Sequence, residues 1–200
     1  MSENNIFHKT KRVIAGIMVF CSWILQSSCA TAPHVYKFPF DVSKRDSRVN
    51  EEINISENRS YYFALQFNYF GSADSHRVRE LVGQGTPYPN ERSNNPGVII
   101  PIHIKISRSN PGQPSESIYD SLIETQGTYA HGFDMKNQAN GDYEREIIAV
   151  NLLPGIYLVE ANTIKDSPEF SGTPTYLLME WHPKIKFLPN TVNSQKRGLK

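Results

Sequence analysis

Tyr129-Ala130-His131-Gly132-Phe133-Asp134 puts two aromatic rings, an imidazole and a carboxylate within six residues. These types suit two kinds of chemistry. In a recognition loop, the rings supply contact area and the imidazole a hydrogen bond. In a catalytic unit, His131 would be a base oriented by Glu124 or Asp134. A purely structural reading is a bulged strand end in which Gly132 relieves strain. Four other histidines lie beyond residue 28, at His34, His76, His103 and His182, and no two stand at helical ligand spacing. Asp134, Asn137, Asn140 and Asp142 surround Gly141 and carry the oxygens calcium prefers. Their spacing is not that of an EF-hand, and Asn/Asp/Gly runs also build plain loops. Tyr88, Trp181 and His182 would form an aromatic surface for stacking a sugar. No G-x-S-x-G, H-E-x-x-H, P-loop or G-x-G-x-x-G occurs. The residues therefore assign no catalytic group, metal or cofactor. The candidate binding residues are Tyr88, Tyr129, His131, Phe133 and Asp134, carried by two long loops, 72–97 and 126–142.

Strands must position those loops. Residues 144–163, EREIIAVNLLPGIYLVEANT, read as two strands about Leu153-Pro154-Gly155. Pro154 presets φ for a turn's second position, and Gly155 accepts the positive φ common at the third. Glu146, Ile148, Val150 and Leu152 would share one face, and Tyr157, Val159 and Ala161 another, so the pattern predicts a β-hairpin. Tyr157 also stands where Greek-key sandwiches place a corner tyrosine, whose hydroxyl ties back to nearby backbone.

Upstream, Tyr36, Phe38, Phe40 and Val42 alternate with polar residues, and Pro39 makes that strand an edge. Val49, Ile53 and Ile55 mark a second strand. In YYFALQFNYFG the odd residues Tyr61 to Tyr69 form the predicted core face. Asp74 or Ser75 would cap a short helix over 76–82, closed by Gly83. Ile100, Ile102, Ile104 and Ile106 give the cleanest alternation in the chain. A strand over 118–125 and another over 176–181 complete the set. Seven or eight short strands between turn signals, without βαβ alternation, predict an all-β antiparallel sandwich, immunoglobulin-like or jelly-roll, with one short inserted helix. A closed barrel is the alternative fold.

The 200 residues carry a net charge of +1, so charge gives no case for nucleic acid. Lys9, Lys11 and Arg12 precede an uncharged apolar run, 13–25, which is shorter than a membrane-spanning helix. The run ends in Gln26-Ser27-Ser28-Cys29-Ala30, which resembles the bacterial lipoprotein signal: Ser27 and Ser28 match its small positions and Cys29 its lipid acceptor. Gln26 departs from the usual branched apolar residue. Cleavage after Ala32 and an uncut anchor are the competing readings. The expected organisation is a signal over 1–28, a tether over 29–34, a β-sandwich over 35–188 and a flexible tail over 189–200. Lipidation of Cys29 would remove Cys21 with the signal and leave no disulfide. The chain from Cys29 onward carries a net charge of −1. Ala30 after the Cys resembles an outer-membrane address in a Gram-negative cell, facing the periplasm.

Residues 61–71, Glu124-Thr125-Gln126-Gly127, Tyr129 to Phe133, Leu153 to Tyr157 and Pro168 to Pro174 together resemble a family of proteobacterial lipoproteins, a domain of unknown function. The resemblance implies a secreted β-rich domain and brings no established catalytic residues. Three classes of function are open to such a chain. A lipid-anchored, non-catalytic module would bind another protein, in its sharpest form as an immunity-type inhibitor of an envelope-targeting toxin. A glycan- or peptidoglycan-binding accessory protein would show a groove lined with aromatics. A hydrolase-like enzyme would gather His131 and Glu124 in one cleft.

Overall fold

The computed structural model describes residues 35–85, 95–110, 112–128, 130–137 and 139–181. These fall in one compact unit of the chain, Pro33–Lys200. The expected signal, tether and tail, with Cys29, His34, Tyr88, Tyr129 and His182, lie outside the described residues.

In chain order the described elements are β1 (Tyr36–Pro39), β2 (Arg48–Ile55), β3 (Arg59–Phe70), α1 (Ser72–Val82), β4 (Ile100–Ser109), β5 (Glu116–Thr125), β6 (Ala130–Phe133), β7 (Asn140–Leu152), β8 (Gly155–Thr163), a 3-10 turn (Pro168–Phe170) and β9 (Thr175–Glu180). One sheet runs β1-β9-β3-β7-β6 and the other β2-β8-β4-β5. Every pairing is antiparallel. This is the all-β sandwich with a short helix that the alternation predicts.

The two cleanest runs face each other across the core. Ile100, Ile102, Ile104 and Ile106 are fully buried in one sheet, and Tyr61, Phe63, Leu65, Phe67 and Tyr69 are buried in the other. Each large apolar side chain so buried contributes about 1.5–3 kcal/mol. Because β3 is paired on both sides, Tyr62, Ala64 and Gln66 on its outer face are buried too. Pro39 does sit on an edge strand, where a missing donor leaves no ladder bond unmade.

The expected hairpin over 144–163 is not one. β7 belongs to the first sheet and β8 to the second, so Leu153-Pro154 is an arch between layers. Hairpin and arch share the same period-two signature, and only distant partners distinguish them: β7 pairs with β3, β8 with β2 and β4. The Tyr157 hydroxyl donates to the Leu153 carbonyl at 2.9 Å, the corner contact expected of it.

The face assignment on β7 is also corrected. Phe63 pairs with Ile148 but Ala64 with Glu146, so Ile147 is an inserted bulge residue. The bulge changes the phase. Tyr143, Arg145 and Ile147 face inward below it, Val150 and Leu152 above it, and Glu146 is exposed.

The helix starts earlier than expected. Gly71 is its N-cap, and the Asp74 carboxylate accepts the Phe70 N–H at 2.9 Å from within the first turn. Gly83 closes it as predicted, donating its N–H to the Arg79 carbonyl. Val78 and Val82 bury its inner face. Part of the expected loop 126–142 is strand: β6 pairs with the start of β7, at Gly141 to Glu144.

Candidate functional site

The inward face of β7 carries two polar side chains in succession, Tyr143 and Arg145, and each organises a different cluster. Arg145 is fully buried. Its Nε donates to the Val82 carbonyl at 2.9 Å and its Nη1 to Val98 at 2.6 Å and Thr125 at 3.3 Å. Nη2 donates to Leu81 at 2.8 Å and also to Val82. The Leu81 and Val82 carbonyls are at the C-terminal end of α1, where a cation is favoured by the helix dipole. The guanidinium also lies 5.6 Å from the Phe67 ring centroid and 6.0 Å from that of Phe170. Burial draws its pKa down to about 9, so it is a cation at neutral pH.

Arg145 closes the neck of the segment between α1 and β4. Gln84 donates to the Asn95 carbonyl at 2.8 Å and Val98 to Leu81 at 2.8 Å. Gly97 has φ +69, and a Cβ there would lie 2.6 Å from Arg145 Nη2, so neither the backbone nor the space admits another residue without strain. The same neck touches the approach to β6. Gly127 donates to the Pro96 carbonyl at 3.1 Å, and the Thr128 hydroxyl donates to Gly83. The two segments singled out in the sequence therefore share one base, although Tyr88 and Tyr129 themselves lie outside the described residues.

Tyr143 organises an aromatic edge. The His131 ring stacks on it with centroids 4.4 Å apart and an interplanar angle of 9°. Tyr69 reaches across from β3, with its hydroxyl 2.9 Å from His131 Nε2. That reach depends on Gly141, the ladder partner of Tyr69: a Cβ there would stand 2.8 Å from Tyr69 Cζ. Ser75 of α1 holds the Tyr143 hydroxyl at 3.0 Å. Phe133 packs edge-on against His131, centroids 4.3 Å apart, while remaining 63% exposed. One face of the imidazole is thus covered and the residue as a whole exposed. Burial against the rings holds its pKa below the ordinary value; Asp142 opposes this and Arg79 adds to it.

His131 and Phe133 are thus brought together as the sequence suggests. Asp134 is not part of the cluster's chemistry: its Oδ1 accepts the Lys136 N–H at 2.8 Å and shapes the turn. Asn137 likewise accepts the Ala139 N–H, and Asn140 the Gly71 N–H. Of the oxygens considered for calcium, those of Asp134, Asn137 and Asn140 are turn and cap acceptors. Neither Glu124 nor Asp134 orients His131, whose hydrogen-bond partner is a tyrosine from two strands away. Gly132 relieves no bulge, since β6 pairs regularly with β7. Trp181 is buried under the Arg59 guanidinium, 3.8 Å from its ring centroid, and offers no surface to a sugar.

Sequence reasoning missed Arg145, Tyr69, Tyr143 and Ser75 as site residues. A charge in phase with Tyr143 and Ile147 on an apolar strand face is a usable signal for Arg145. The bulge hid it by shifting the apparent phase to Glu146.

Elsewhere, a groove of about 650 Å³ runs between Phe40–Ser47 and Ser171–Tyr176. The Thr175 hydroxyl at its wall is already committed to the backbone of Phe40 and Val42.

Residues 37–180 match the family described as "Domain of unknown function (DUF5625)", and the chain belongs to that family. A crystal structure of a protein from Sulfurospirillum deleyianum has the same fold, with a TM-score of 0.61 at 22% identity over 76% of this chain and 100% of that one. No curated protein matches the sequence.

Proposed function

We propose that this DUF5625 protein is a non-catalytic protein-binding module, held in the cell envelope by lipid on Cys29 and facing the periplasm as an outer-membrane lipoprotein. The partner-facing surface is the β6 edge together with the mouth of the 83–97 segment. One observation carries the reading: the described ends of both segments share a hydrogen-bonded base, and β6, which follows that base, ends in the exposed ring of Phe133. A rigid base under exposed aromatics keeps the ordering cost of binding low, and aromatics dominate binding energy at interfaces. The imidazole of His131 meets aromatic side chains rather than an orienting carboxylate, an arrangement suited to contact rather than proton transfer. In its sharpest form the partner is an envelope-targeting toxin and this chain its immunity-type inhibitor. A tether would concentrate such an inhibitor where the toxin acts.

The test is an affinity pull-down of the mature chain, tagged at its C-terminus and expressed in its own cells. The expected result is a stoichiometric protein partner that is lost from the His131→Ala, Tyr88→Ala double variant while its circular dichroism is unchanged. Undiminished capture by that variant would sink the proposed surface, and retained glycan in place of protein would sink the protein-binding reading. Intact mass of the same sample checks the anchor, which is expected as an acyl addition on Cys29.

A further inference from the structure

Three arginines lie on α1 or against its end, and they differ in what they hold. Arg145 is consumed by backbone carbonyls. Arg77 is gripped by Asp74 Oδ1, at 3.0 Å from Nε and 2.7 Å from Nη2, and by the Thr173 hydroxyl at 2.9 Å. The Arg79 side chain is exposed, and among the described residues its guanidinium has neither an ion pair nor a hydrogen bond.

Its position follows from the helix. Arg79 is four residues after Ser75, so the two share a face of α1. Ser75 docks that face on the Tyr143 hydroxyl, and His131 lies flat on Tyr143. The imidazole feels the Asp142 carboxylate as an opposite charge and, less strongly, the Arg79 guanidinium as a like one. A planar fork of five donors, exposed and without a partner among the described residues, thus lies on the helix face that docks on Tyr143, and the exposed His131 and Phe133 pack on that same tyrosine's cluster. The natural complement of that fork is a carboxylate, bound through two parallel hydrogen bonds. The apolar neighbours Phe133 and Met135, the latter 95% exposed, suit a peptide better than a phosphate headgroup.

We propose that Arg79 and His131 bind an Asp or Glu side chain of the protein partner, whose neighbouring apolar residue packs on Phe133. This rests on the protein-binding reading of the same face, and the experiment separates the two. A photoreactive benzophenone side chain is placed at Phe133 in the full chain, in its own cells, and adducts are sequenced by mass spectrometry. It is done in the Arg79, Arg79→Lys and Arg79→Glu backgrounds, with thermal unfolding as the folding control. The expected product is one protein, cross-linked in a segment that contains Asp or Glu. Arg79→Glu lowers its yield on the order of tenfold or more, and Arg79→Lys by less, because an ammonium lacks the fork. A protein adduct whose yield ignores Arg79→Glu, or whose segment lacks acidic residues, would overturn the carboxylate proposal and leave the binding face standing. A lipid or glycan adduct, or no adduct, would overturn both.

Discussion

Tyr143 and Arg145 are two residues apart on the same face of β7, yet one heads an open cluster and the other a closed one. Around Arg145 every donor direction ends on a backbone carbonyl, from α1, from Val98 and from the end of β5. Around Tyr143 the rings of Tyr69 and His131 pack closely, but the outermost, Phe133, ends in solvent. The difference lies in what covers the strand. Near Arg145 the helix terminus and the neck of the adjoining segment close over β7. Near Tyr143 the neighbour is β6, a four-residue strand at the edge of the sheet among the described residues. A saturated polar group fixes chain geometry; an unsaturated aromatic edge is available to a partner. The fold puts the two side by side along one face of β7.

The sharpest way to break this contrast is at Arg145. Arg145→Met keeps volume but strands several buried carbonyls, and chemical denaturation should show a loss of about 3–5 kcal/mol. That is a large part of the stability of a typical domain. A loss under about 1 kcal/mol would mean that water or rearranged backbone satisfies those carbonyls as well as the guanidinium does. The next effect is at Gly141. Gly141→Ala should displace the Tyr69 ring, cost about 1–3 kcal/mol and shift the His131 ring resonances, visible by NMR. Unchanged resonances would show that Tyr69 does not depend on that gap.

The smallest effect is the titration of His131. Its folded pKa is lowered, so the folded state binds its proton less readily than the unfolded state. Stability should be full above the unfolded value near 6.5 and should decline shallowly as pH falls from there through the folded value. Comparing thermal midpoints of the wild type and His131→Gln across that window isolates the effect. The opposite slope would mean that Asp142 outweighs burial.

The sequence made some of this legible and concealed the rest for definite reasons. Alternation in Ile100–Ile106 and Tyr61–Tyr69 marked the two core faces, because a strand's neighbours in its own chain report its two sides. The Tyr157 corner was readable because its bond spans four residues. The sheet to which a strand belongs is a non-local fact, and so the arch at Leu153-Pro154 read as a hairpin. The partner of His131 was sought among local carboxylates, whereas it comes from β3 through a space that Gly141 leaves empty. Arg145 was lost to a single inserted residue, since a bulge reverses which side of a strand a period-two count assigns to the core.

The position of β3 also governs how the chain can become this structure. β3 buries more apolar side chains than any other described strand, and both of its ladder partners, β7 and β9, come from far downstream. No local hairpin can satisfy it early. Such non-local pairing puts folding on the slow, millisecond-to-second side of the range for single domains. Until the chain is available through Glu180, the stretch YYFALQFNYF has two bare edges and two sticky faces. That stretch is where a holdase would bind and where premature association would begin. The strand at the centre of the finished sheet is thus the point of greatest exposure during its assembly.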